Sequence, residues 1–115
     1  MTTEQERRLR QITQTLIERI KPEKIVLFGS FAVDQAKPDS DIDLLIVLES
    51  DLRRDKRQEL VSRALRPRTF PVDILAYTPA EVQACIKDRH SFLNHILKTG
   101  KVLYERQSQR VAEAG

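Results

Sequence analysis

The stretch LFGSFAVDQAKPDSDIDLLIVL, Leu27 to Leu48, decides how the chain is read. Its second half sets Asp41 and Asp43 one residue apart at the front of five apolar residues, Leu44 to Leu48. A short apolar run of this kind is the pattern of a strand at the centre of a sheet. Residues two apart on a strand point to one face, ~6.6 Å apart along it, so the two carboxylates stand side by side. An ionised carboxylate is costly to desolvate unless it is paired, hydrogen-bonded or bound to a cation. The pattern therefore calls for a compensating positive charge, supplied by the chain or by a ligand.

The first half of the stretch complements the second. KIVLFGS reads as a strand that stops at Gly29, where the backbone can approach a ligand closely. Ser30 adds a hydroxyl and an N–H where one helical turn is expected to begin, a suitable perch for phosphate. Ten residues separate Ser30 from Asp41, enough for a loop, broken by Pro38, to bring the perch back beside the acids. A third carboxylate, Asp73, lies in TFPVDILAY, a strand with Phe70, Val72, Ile74 and Ala76 on one side and Asp73, Leu75 and Tyr77 on the other. Three acids on two strands suit a hard divalent ion such as Mg2+. A two-ion site of that kind holds the attacking and leaving oxygens of a phosphoryl displacement.

Outward from this centre the periodicity is legible. Leu9, Ile12, Leu16, Ile17 and Ile20 form the apolar stripe of a helix from Thr3 to Ile20, capped by Thr2 or Thr3 and ended by Pro22. Leu60, Val61, Ala64 and Leu65 predict a helix over 54–65, closed by Pro67. TPAEVQACIKDR opens with Thr78 as cap, Pro79 at the first position and Glu81 three residues after the cap. SFLNHILKTG continues as helix to Gly100, a helix stop, and KVLYE is a last strand. The order α-β-(turn)-β-α-β-α-α-β predicts an α/β (α+β) fold, a small mixed sheet with helices packed on it.

Composition narrows the function classes. With 115 residues and 40% hydrophobic content, the chain supports one domain, assigned to 1–105, followed by a polar tail, 106–115, expected to be mobile. A net charge of only +3, with Lys and Arg spread along the sequence, is a weak argument for nucleic acid and reads more simply as a soluble surface rich in Arg, so a nucleic-acid partner is not expected. No apolar run approaches the ~20 residues of a membrane span and the N-terminus lacks a secretory signal, which predicts a cytoplasmic protein. Cys85 has no CxxC companion and reads as a small packing residue, and His90 and His95 fall in a predicted helical stretch without a zinc-protease motif.

These residues carry a family resemblance. GSFAVDQAKPDSDID fits the pattern G-S-x10-D-x-D of the DNA polymerase β-like nucleotidyltransferases. With Asp73, the short length and the closing GKVLYE, the chain resembles the minimal nucleotidyltransferases (MNT proteins), often partnered with HEPN proteins in toxin–antitoxin pairs. The resemblance implies that Gly29 and Ser30 hold a triphosphate and that Asp41 and Asp43 bind two Mg2+ ions. It further implies that Asp73 binds one ion and accepts the proton of the attacking hydroxyl. The implied reaction moves a nucleoside monophosphate, most simply AMP from ATP, to a hydroxyl on a HEPN toxin. Transfer to a small molecule or an RNA end is a lesser alternative, because this chain adds no domain to hold such an acceptor.

One departure bears on activity. Relatives commonly read G-S-x-A-R-G, whereas Val33 and Asp34 stand here where Arg and Gly would be. At ~5–6 Å and an effective dielectric near 20, one charge beside a triphosphate contributes about 3 kcal/mol before screening. Lys37 is the candidate replacement cation. If the loop no longer supports turnover, the alternative is an antitoxin that neutralises its partner by binding alone. In either case another molecule completes the acceptor side, a partner protein or a second copy. Phe92, Leu93, Ile96 and Leu97 are candidate contacts, with core packing the simpler assignment.

Overall fold

A computed structural model describes residues 2–32, 41–66 and 71–106. Helix α1, Thr3–Ile20, starts at Thr2, the first of the two expected caps. Thr2 Oγ1 accepts from Gln5 N at 3.1 Å and Gln5 Oε1 accepts from Thr2 N at 2.8 Å. The chain leaves α1 through Lys21 in the left-handed conformation and enters β1, Lys24–Phe28. A single 3-10 turn, Gly29–Phe31, follows. Next come β2, Ile42–Val47, α2, Arg54–Ala64, and β3, Val72–Tyr77. The chain closes with α3, Pro79–Ile86, α4, Phe92–Thr99, and β4, Lys101–Glu105.

The sheet order is β3-β2-β1-β4. β2 is central, antiparallel to β1 and parallel to β3, and the parallel connection is made through α2. Leu44, Leu45 and Ile46 are fully enclosed, as the apolar run requires. Even-numbered β2 residues, Leu44 and Ile46, pack with Leu9, Ile12 and Leu16 of α1 and Val61 of α2. Leu45 and Val47 pack on the other face with Leu93 and Ile96 of α4 and with Val82 and Cys85 of α3. Cys85 is thus the packing residue expected, and so are Leu93 and Ile96.

Three details differ from the sequence reading. The helical pattern after Thr78 is broken at Lys87–His90, and Ser91 caps a fresh helix by accepting from Asn94 N at 3.1 Å. His90 therefore sits in a turn, because Asp88 Oδ1 captures its N–H at 2.9 Å. Gly100 ends α4 at φ −77°, so it is not a left-handed stop. Glycine is needed there for space: a Cβ would lie 2.6 Å from Val26 Cγ1 and 2.8 Å from Leu27 O. Finally Arg106, assigned to the tail, is anchored, its N–H donating to Glu23 O at 2.8 Å and its guanidinium to Lys21 O. The remainder of the tail, Gln107–Gly115, lies outside the described residues, as do Phe70 and Pro67.

The two sheet edges discourage further strands by different means. On β3, Gln58 of α2 acts as a surrogate strand: its Nε2 donates to Ile74 O at 2.6 Å and its Oε1 accepts from Ala76 N. On β4, the pairing with β1 shifts by one residue between Ile25 and Val26, leaving a bulge at Leu103. Bulges and charged ends such as Lys101 and Glu105 deter edge-to-edge pairing.

Candidate functional site

The three aspartates meet at one end of the sheet. Asp43 occupies the second position of β2, directly between Phe28 of β1 and Asp73 of β3. Strand alternation puts its side chain on the face of Leu45 and Val47, the side covered by α3 and α4. Asp43 is half-buried, whereas Asp73, on an edge strand, and Asp41, one residue before β2 begins, are exposed.

Gly29 is shaped around this carboxylate. It adopts φ +77°, and a Cβ built on it would stand 2.2 Å from Asp43 Oδ2. The Asp43 carboxylate thus lies against bare backbone, in space that any other residue would fill. Ser30, half-buried, follows in the 3-10 turn, which Ala32 closes by donating to Gly29 O at 3.1 Å. Phe31, buried against the α1 side, pins that turn to the core. The glycine-serine turn and the D-x-D strand are therefore in contact, as the spacing predicted. Val33, Asp34 and Lys37 lie outside the described residues.

Electrostatics single out Asp43. Burial raises its pKa above the usual carboxylate value, the charges of Asp73 and then Asp41 raise it further, and a side-chain hydrogen bond to Asp73 adds to the effect. Like charges this close favour a bound cation between them. Among the described residues, no three acidic, His or Cys side chains are drawn close enough to hold a metal ion as they stand. The donor set nevertheless fits Mg2+: oxygen ligands only, like charges on adjacent strands, and backbone kept clear on one side. Asp43 and Asp73 are register partners on β2 and β3, and Asp41 stands off the strand end.

Of the grooves along the sheet among the described residues, two can be set against the aspartates. One, about 450 Å³, runs between α2 and β3 and includes Asp73 together with Asp55, Gln58 and Glu59. The other, about 940 Å³, lies between α1 and β4 and contains none of the three aspartates. On the β1 side of Asp43 the structure adds something absent from the sequence reading. Phe28 meets Phe92 of α4 edge to face, with ring centroids 6.1 Å apart and planes at 85°. Spacing alone assigned Phe28 to a strand and Phe92 to a helix stripe; only the packing of α4 on the sheet joins them.

Comparison with known proteins bears on the fold and the family. A family model described as "Polymerase beta, Nucleotidyltransferase" matches residues 10–109. The fold is similar to that of a candidate nucleotidyltransferase from Sulfolobus solfataricus, at 21% identity and TM-score 0.61, covering 92% of this chain and 90% of that one. It is similar to a toxin–antitoxin structure with AMP-PNP, at 24% identity and TM-score 0.60, covering 91% of this chain and 77% of that one. A third structure holds a tri-AMPylated Shewanella oneidensis HEPN toxin with its MNT antitoxin, at 23% identity and TM-score 0.56, covering 96% of this chain and 78% of that one. No curated protein matches the sequence. Among the described residues, no helix is long and apolar enough to cross a membrane.

Proposed function

Because the chain belongs to the polymerase β nucleotidyltransferase family, we propose that it transfers AMP from ATP to a hydroxyl of a HEPN partner protein and so acts as an antitoxin. The observation that carries this reading is Asp43, held between the glycine backbone of Gly29 and the carboxylate of Asp73. Structural neighbours that contain AMP-PNP or an AMPylated HEPN toxin support the choice of nucleotide and partner. The setting is the cytoplasm, where ATP and Mg2+ are abundant.

Asp41, Asp43 and Asp73 would hold Mg2+, two ions in the full site. Bound there, Mg2+ supplies charge neutralisation for the phosphate oxygens. The turn at Gly29–Ser30 orients the triphosphate through backbone N–H groups and the Ser30 hydroxyl. Asp73 accepts the proton of the acceptor hydroxyl, whose oxygen attacks the α-phosphorus in line. The bond from the α-phosphorus to the bridging oxygen breaks, and pyrophosphate leaves.

A second reading, neutralisation by binding without turnover, draws on Val33 and Asp34 in place of Arg-Gly and on the exposed position of Asp41. Intact-mass spectrometry of a co-expressed HEPN partner separates the two. Partner protein that gains nucleoside monophosphate with the wild-type chain, and gains none with Asp43→Asn, supports the enzyme. A neutralised yet unmodified partner overturns it in favour of binding.

A further inference from the structure

We infer that Phe92, supported by Phe28, is a stacking platform for the base of the bound nucleotide. The inference rests on the nucleotidyltransferase reading of the same site and adds to it the group that recognises the base. Phe92 is the first residue of α4 and is 61% exposed, although the α4 residues next along its stripe, Leu93 and Ile96, are buried. Packing on Phe28 accounts for only part of the ring and leaves most of the residue in water.

Position in the sheet says which ligand the ring serves. Phe28 is the register partner of Asp43 on one side, and Asp73 is its partner on the other. The acceptor hydroxyl gives its proton to Asp73 and so arrives from the β3 side. The aromatic pair lies on the β1 side, and Phe28 immediately precedes the Gly29–Ser30 turn assigned to the triphosphate. A base is tethered to that triphosphate through its ribose, so the platform stands beside the turn that holds the other end of the same molecule. Edge-to-face contact with Phe28 occupies at most one face of the Phe92 ring, and at 61% exposure the residue keeps surface for a planar partner. Stacking on an aromatic face tolerates every base, so the platform supplies affinity and leaves discrimination among bases to other groups.

The test compares a nucleotide with its triphosphate alone. Calorimetric titrations of the full chain with MgATP and with Mg2+-tripolyphosphate are run on the wild type, Phe92→Ala and Phe92→Trp. Phe92→Ala is expected to weaken ATP about tenfold and leave tripolyphosphate unchanged. The chain contains no Trp, so the indole of Phe92→Trp is a lone reporter, and ATP but not tripolyphosphate is expected to change its fluorescence. Equal weakening of both ligands, no weakening of either, or an indole blind to ATP overturns the inference. Unchanged ATP affinity with slower transfer to the partner also overturns it, assigning the ring to the acceptor. A wild-type chain that binds neither ligand removes the enzymatic reading and this inference together.

Discussion

The Arg57 guanidinium grips both carboxylate oxygens of Glu81, Nη1 to Oε1 at 2.6 Å and Nη2 to Oε2 at 3.2 Å, and so ties α2 to the start of α3. Arg57 is only 3% exposed and also donates to Ala76 O at 2.9 Å and Leu52 O at 3.1 Å. Glu81 in turn accepts from Thr78 N at 2.9 Å, completing the capping box of α3. One carboxylate thus closes a helix cap and pairs a buried cation at once, although Arg57 Nε is left without a hydrogen-bond partner among the described residues.

Glu81→Ala should therefore destabilise the fold by about 2 kcal/mol, because it strands a buried charge; the 39% exposure of the Glu81 side chain keeps the loss below that of a fully buried pair. The Arg57 hydrogen bond holds the Glu81 pKa below its usual value. Its contribution is present above the unfolded-state pKa and is lost as pH falls through the folded one. Urea melts at pH 7 and pH 3 check this: the wild-type advantage over Glu81→Ala should shrink at the lower pH.

Asp43→Asn should raise the melting temperature at pH 7 by a few degrees while abolishing nucleotidyl transfer. Asp43 has a folded-state pKa above its unfolded value, so its ionisation costs stability. That cost is absent below the unfolded pKa and complete above the folded one. The gap between variant and wild type should close toward pH 3. Added Mg2+ should raise the wild-type melting temperature more than that of the variant.

Gly29→Ala should cost about 1–3 kcal/mol and eliminate nucleotide binding. The new methyl group would displace Asp43 Oδ2, which lies 2.2 Å from its position, and force an L-residue to φ +77°. Circular-dichroism melts and calorimetric ATP titration measure the two effects on one preparation.

Gln58→Leu should cost about 1–2 kcal/mol and open the β3 edge, since Ile74 O and Ala76 N then lose their side-chain partner. Light scattering on gentle heating should show earlier association than in the wild type.

Most of the fold was legible because each element carries its own punctuation. Thr78-Pro79 with Glu81 and the apolar run Leu44–Leu48 are local signals that the structure keeps, and Thr2 is the one of the two expected caps that serves, its box with Gln5 being an addition of the structure. The candidate site was legible for a different reason: a carboxylate pair at the head of a buried strand is a local contradiction, which marks a place to look for function. What escaped was non-local. Gln58 reads as one more polar helix residue until β3 lies beside it, and Arg57 as surface charge until Glu81 closes over it. The roles of Gly100 and Phe92 likewise depend on β1 packing beneath α4.

The position of β2 at the centre of the sheet also fixes how the site can move. Backbone flanked by strands on both sides and covered on both faces exchanges its amide hydrogens only when the whole domain opens. Asp43 is carried by such backbone, between β1 and β3, whereas Asp41 sits just beyond the last rung of the ladder. The site therefore combines one carboxylate carried by backbone inside the ladder with another carried by backbone just beyond it. Amide exchange should report this as a step in protection between Asp41 and Asp43, and the side that responds to a nucleotide should be the Asp41 side.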